Sequence, residues 1–308
     1  MRAGLPWLAY GCLALSTSLV GSYVGLSKLL LLSFPVFLLA WLRFGLAAVL
    51  MLGWLRRRAD EPPLDGRTRG LLFLESLLGN FLFSICLLYG LRQSSAVVAA
   101  IVMAGIPAAV ALLSRIFLDE QLRPRSLAGI ALSVAGIAWI GLARVDAGAG
   151  AALAQPPSSG LGVLLLLAAV FCEACYVVIG KRLTQDLPPR RISALINLWG
   201  LLLVTPLGLR QALDFDFAAV STSAWLLLLF YAAAASMITV WLWMAGLRRV
   251  PAAQAGVFMV FLPMATTAVG VLVLGESLSA GLLPAMLLAL AGVLLATWPE
   301  AQPQPRLP

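Results

Sequence analysis

Long apolar runs bounded by charge, proline or glycine recur along the whole chain. They lie near 5 to 31, 34 to 55, 70 to 90, 95 to 117 and 126 to 143, and again near 160 to 182, 190 to 207, 222 to 246, 251 to 274 and 279 to 297. A membrane-spanning helix needs about 20 predominantly apolar residues, so the pattern predicts an all-α membrane protein of ten transmembrane helices. The first run follows Arg2 but is longer than a signal-peptide core and lacks a small-residue cleavage site, so it reads as helix one. The stretch RVDAGAGAALAQPPSS, 144 to 159, has linker composition. The tail PEAQPQPRLP cannot sustain a helix and reads as disordered. The expected organisation is a first five-helix unit over 1–143, a linker over 144–159, a second unit over 160–297 and a tail over 298–308.

Composition narrows the function classes. Of 308 residues, 62% are hydrophobic and 11% charged, which excludes a soluble globular protein. A net charge of +8 would suit nucleic acid, but no basic stripe interleaves with aromatics. The basic residues instead flank the apolar runs. Counting Lys and Arg on alternate sides gives fifteen against four, which predicts both termini in the cytoplasm. There is no histidine, and the four cysteines (Cys12, Cys86, Cys172, Cys175) all lie inside apolar stretches. Cys172 and Cys175 have CxxC spacing but lack the two further ligands of a zinc site. No metal, cofactor or nucleic-acid partner is expected, and without a nucleophile and base together the chain does not read as an enzyme.

The chain also repeats itself. Leu91 to Ile140 aligns without gaps on Leu247 to Ala296, offset by 156, with 14 identities in 50 positions that include Pro107 with Pro263, Glu120 with Glu276 and Gly136 with Gly292. The first helices of the halves match at an offset of 153, pairing Tyr23 with Tyr176 and Lys28 with Lys181. Five helices per half send the second half into the membrane from the opposite face. Inverted repeats of this kind suit alternating access, with a substrate site near the midplane between the halves.

The two halves, the run PVFLLAWLRFGLAAVL from Pro35, and the paired proline followed by LDEQL or LGESL resemble the EamA type of the drug/metabolite transporter superfamily. The resemblance spans roughly residues 7 to 297. It implies ten helices with cytoplasmic termini, a central cavity lined chiefly by helices 1, 3, 4, 6, 8 and 9, and export of small metabolites such as amino acids, or of lipophilic cations.

Glu173 is the leading candidate for substrate binding or coupling. It sits too deep in its run to reach water, and intramembrane carboxylates are functional by default. The competing reading is a structural group, protonated or paired with Arg43. Tyr176 lies one turn on and, with its repeat partner Tyr23, could cradle an ammonium by cation-π contact; packing explains both equally well. Asn80 and its repeat partner Ser236 suit a midplane site or an interhelical hydrogen bond. Glu75 is expected to reach cytoplasmic water or the Arg56 to Arg58 cluster. Arg43 reads as structural, Arg115 with Asp119 as a helix-end pair, Lys28 and Lys181 as anchors, and Trp241 and Trp243 as belt residues. Gly129 with Ser133, and Ala285 with Ala289, should let helices five and ten approach closely. Pro107 and Pro263 fall about a dozen residues into helices four and nine, where each would free the carbonyl four residues earlier, at Met103 and Met259. Static kinks and gating hinges fit them equally well.

Together these features point to an inner-membrane alternating-access transporter exporting small metabolites, with amino acids or related amines leading. Its expected partners are a small-molecule substrate, membrane lipid and a coupling proton. The alternatives are an efflux carrier for lipophilic cationic drugs and a passive channel.

Overall fold

A computed structural model of the chain describes residues 6–57, 61, 63–94, 98, 102–144, 159–274 and 281–297, and every regular element among them is helical. Helix α1 is Pro6–Leu31; α2 is Val36–Leu50, closed by a 3₁₀ turn at Leu52–Trp54. Helix α3 runs through Gly66–Ser76, a π turn at Leu77–Leu82 and Phe83–Arg92. Then come α4, Ile106–Phe117, α5, Pro124–Arg144, α6, Gly160–Asp186, and α7, Pro189–Leu213. Helix α8 runs through Thr222–Ala232, a π turn at Ala233–Ile238 and Thr239–Leu247. Helix α9 joins Ala252–Val257 to Phe261–Leu274 by a 3₁₀ turn at Phe258–Val260, and α10 is Leu282–Thr297. Five of these, α3, α6, α7, α8 and the first part of α9, are long and apolar enough to cross a membrane; the described parts of α2, α4, α5 and α10 are shorter apolar helices.

The helices follow the expected runs; α6 extends four residues past 182, and two further differences are informative. Helix α3 starts at Gly66 rather than 70 because Asp65 caps it, accepting from the Thr68 N–H at 2.8 Å. Those Thr68 hydrogen bonds hold the Asp65 carboxyl below the ordinary carboxylate range. Helix α7 runs on past 207 with Pro206 inside it. The linker 145–158, the tail 298–308 and Glu276 lie outside the described residues, as does the side chain of Lys28.

Packing follows the repeat. Helix α1 lies against α8 and α9, and α6 lies against α3 and α4; α2 pairs with α7, and α5 with α10. The α5–α10 seam is built from the expected small residues: Ser133, Ala285 and Ala289 are buried, and a Cβ on Gly136 would overlap Ala289. On the other seams, a Cβ on Gly90 would meet Leu166, and one on Gly246 would meet Leu13. These two contacts are the same contact: Gly90 and Gly246 differ by 156 and Leu13 and Leu166 by 153, the offsets of the repeat.

The same seams fix direction. Gly246 at the end of α8 abuts Ala9 at the start of α1, and Lys181 near the end of α6 donates to the Leu247 carbonyl at 2.8 Å and that of Val250 at 2.7 Å. The start of α1 and the end of α6 therefore share one end of the bundle. The start of α6 lies at the other end, where Gly162 meets Gln93 and Ser94 beyond α3.

Both π turns occupy one register of the repeat, since 77 to 82 maps onto 233 to 238 at the offset of 156. A π turn widens the helix by one residue and is frequent at functional sites. Pro107 lies in the first turn of α4, which a turn at Gly105 parts from helical residues 102–104, and Pro263 is the twelfth residue of α9, the third after its 3₁₀ turn. In a first turn the missing N–H has no intrahelical partner to lose. The chain breaks just before each proline, and the two broken helices meet where Gly256 faces Pro107 and Val110.

Candidate functional site

Glu173 lies thirteen residues from either end of α6, about 20 Å from each at 1.5 Å per residue. Exposed Leu161, Leu164, Leu167 and Phe171 form an outward stripe on this helix. Glu173 sits about 160° around from Phe171, so its partial exposure opens into the bundle. One turn on, Tyr176 lays its ring on Gly79 of the α3 π turn, where a Cβ would collide with it. Only glycine lets α3 and α6 approach this closely at that point.

The remaining members come from three other helices. Tyr23 of α1 and Tyr231 of α8 meet edge to face, 5.4 Å between centroids. Arg43 of α2 stands over Tyr231 at 5.6 Å and over Phe44 at 4.4 Å. Tyr23 lies within electrostatic reach of Arg43, Tyr231 and Glu173, and Tyr176 within reach of Glu75, Glu173 and Tyr23. The structure thus gathers Glu173, Tyr176 and Tyr23 into one cluster and adds Arg43, Tyr231 and Glu75. The guanidinium of Arg43 makes no ion pair with a carboxylate among the described residues. Two carboxyls, a guanidinium and three phenols brought together can receive a cationic and an anionic group together.

Glu75 departs from expectation. Instead of reaching the Arg56 to Arg58 cluster it is fully buried, with an oxygen against Gly180 of α6 and Met244 and Leu247 of α8 close by. Neither carboxyl oxygen has a hydrogen-bond partner among the described residues. Leaving a buried polar group unsatisfied costs about 1–3 kcal/mol, so the tight α3–α6 seam carries a built-in penalty.

Asn80 and Ser236 are equivalent members of the two π turns. Asn80 donates to Ser76 of its own helix at 3.4 Å, and its carbonyl accepts from Ser84 at 2.7 Å; Ser236 is buried, its hydroxyl unpaired among the described residues. No hydrogen bond joins either to the cluster among the described residues.

The shared end of the bundle is held by charged residues. Lys181 grips the turn after α8, and Glu120 caps α9, accepting from the N–H of Ala252 at 2.7 Å and of Ala253 at 3.1 Å. The Arg115–Asp119 pair stands at 3.9 Å and is exposed, so it contributes little. Trp243 is not a belt residue but is buried, whereas Trp241 lies beside Trp54, its ring tilted, and beneath Arg190. All four cysteines are free thiols.

Sequence reasoning did not single out Tyr231, placed Glu75 within reach of water where the structure buries it, and did not place Arg43 beside Tyr231. The signal for Tyr231 was the repeat itself: the offset of 156 maps Glu75 onto it.

The EamA-like transporter family matches the chain twice, over residues 7–142 and 160–298. The uncharacterized transporter YetK of Bacillus subtilis is 32% identical over 269 residues, 87% of this chain and 80% of that protein. A second Bacillus subtilis transporter, YyaM, is 24% identical over 74% of this chain and 73% of its own length. A solved crystal structure, at 20% identity, shares the fold with a TM-score of 0.70 over 92% of this chain and 95% of that one. A doubled family match, apolar helices of spanning length and a relative of this identity together identify a multi-pass membrane protein: the chain belongs to the EamA-like transporter family.

Proposed function

We propose that the protein is an alternating-access exporter of amphipathic amino acids or related amines in the bacterial inner membrane, built as two inverted five-helix repeats over 1–143 and 160–297. The opposed directions of α1 and α6 and the reciprocal Gly90–Leu166 and Gly246–Leu13 contacts support the inversion. The charge count supports cytoplasmic termini. Cysteine labelling in a cysteine-free background tests orientation: a cysteine at position 158 reacts with an impermeant reagent from outside and one at 68 does not. The reverse pattern overturns it.

One observation carries the substrate class, the presence of Arg43 and Glu173 in one cluster. Glu173 receives the ammonium, with Tyr176, Tyr23 and Tyr231 around it, and Arg43 receives the carboxylate. A lipophilic cation leaves Arg43 facing a like charge, which favours the amino acid reading over drug efflux. Asn80 and Ser236 line the widened turns on either side, and the breaks before Pro107 and Pro263 serve as hinges for opposite gates. A coupling proton enters at Glu173. Proteoliposome uptake of labelled amino acids and cationic dyes, with and without a pH gradient, tests the reading. Saturable amino acid flux that responds to the gradient is expected. Dye flux alone supports drug efflux, and flux that neither saturates nor exchanges supports a channel.

A further inference from the structure

At the end of the bundle shared by the start of α1 and the end of α6, a pocket of about 280 Å³ opens between the turn after α2, the start of α7 and the end of α8. Among the described residues its lining holds four guanidinia, Arg56, Arg190, Arg191 and Arg248, against one carboxylate, Glu61. Arg191 and Glu61 are both buried and form an ion pair with each other, and the Glu61 carbonyl accepts from Arg57 at 2.9 Å. That pair neutralises one charge and fixes the pocket floor. The other three guanidinia make no ion pair among the described residues.

The walls hold one of the three in place. Arg190 stands 5.7 Å from the ring centroids of both Trp54 and Trp241, which themselves lie 6.2 Å apart. Cation-π contact on two indoles orients the guanidinium while leaving its N–H groups available. The 25-residue helix α7 begins in the lining, at Pro189, and adds the positive end of its dipole. Three available guanidinia beside a helix N-terminus match a phosphate oxyanion, which arginine binds through paired N–H groups.

The surroundings identify the source of the phosphate. Tryptophan rings belong at headgroup depth. From Trp54 the chain leads back to Leu52, Leu50 and Val49, all exposed and apolar, a surface suited to acyl chains. Basic pockets between membrane helices are general headgroup sites. We propose that this pocket binds the phosphate of an anionic phospholipid headgroup. The inference needs this end of the bundle to lie at a lipid–water boundary, but it does not depend on the transported substrate.

The test is native mass spectrometry of the full chain released from nanodiscs of phosphatidylcholine with a minor fraction of phosphatidylglycerol. The wild type is expected to retain phosphatidylglycerol in preference to phosphatidylcholine. Arg56→Gln with Arg248→Gln removes two exposed guanidinia that make no ion pair among the described residues, and should weaken that retention about fivefold for each. A control, Arg69→Gln with Arg182→Gln, removes the same charge elsewhere and should leave retention unchanged. Unchanged retention in the first variant, equal loss in the control, or no preference for phosphatidylglycerol overturns the site. Displacement of the lipid by millimolar inorganic phosphate overturns the lipid source and makes the ligand a free phosphate. Thermal stability of each variant, measured alongside, separates loss of binding from loss of fold.

Discussion

The two π turns sit at equivalent places in the repeat and carry different chemistry. In α3 the register holds Glu75, Gly79 and Asn80; in α8 it holds Tyr231, Ala235 and Ser236. The backbone has kept its shape in both, and the contacts that set helix spacing, such as Gly90–Leu166 and Gly246–Leu13, are kept as well. What differs is the set of groups aimed at the partner helix. Tyr176 and Tyr23 are equivalents, yet one rests on a bare glycine near a carboxyl and the other on a phenol. Glu173 has Val20 as its counterpart. Scaffold is duplicated, and Tyr23 with Tyr176 is duplicated too, whereas Glu173, Glu75 and Tyr231 have no like residue at the equivalent position. Such a site has a built-in polarity, which a zwitterion needs and a symmetric pore lacks.

The largest expected effect breaks that asymmetry at its charge. Glu173→Gln keeps the shape of the side chain and removes its charge, and should lower amino acid flux by about 10- to 100-fold, the worth of a charged hydrogen bond. Wild-type flux with unchanged pH dependence would reduce Glu173 to a packing residue. Next comes the glycine contrast. Gly79→Ala forces a Cβ into the Tyr176 ring and should destabilise by about 1–3 kcal/mol, read as a fall in Tm in detergent. Ala235→Gly, at the equivalent position, should cost no more than about 1 kcal/mol. Equal effects at both positions would show that the seams are not distinct.

A smaller effect of opposite sign belongs to Glu75. Glu75→Leu removes an unsatisfied buried carboxyl and should raise Tm by a few degrees, while transport falls if the carboxyl is used when α3 and α6 part. A lowered Tm would mean that the group has a partner in the folded protein. The smallest effect is at the α3 cap. Asp65→Ala should speed hydrogen exchange in the first turn of α3 without changing transport. Because the folded Asp65 carboxyl lies below its ordinary value, its contribution is present above about pH 3.9 and is lost as pH falls through the folded value. Exchange in that turn should therefore become insensitive to the substitution in strong acid.

The fold was legible in the sequence wherever the signal was periodic or repeated. Apolar runs gave the helices, and small residues at Gly129, Ser133, Ala285 and Ala289 gave the α5–α10 seam. The cluster was legible only in part, because depth along a run identifies Glu173 and its neighbour Tyr176 but says nothing of which helices converge on them. Arg43 and Tyr231 come from α2 and α8, and only the packing of those helices brings them beside Tyr23. Glu75 was misjudged because position in a helix suggested access to water, while its direction, toward Gly180, depends on the neighbouring helix. The π turns left no trace in the residue pattern. The prolines were visible, but the turn at Gly105 and the 3₁₀ turn at Phe258–Val260 that precede them were not.

The most direct test of the account compares leucine with isopentylamine, which lacks only the carboxylate, in proteoliposomes of wild type and of Arg43→Gln. Wild type should transport leucine in preference to the amine, and Arg43→Gln should lose leucine flux by about 10- to 100-fold while keeping or gaining amine flux. Equal loss of both substrates, or leucine flux that ignores the substitution, would contradict a site in which Arg43 and Glu173 hold the two ends of one amino acid.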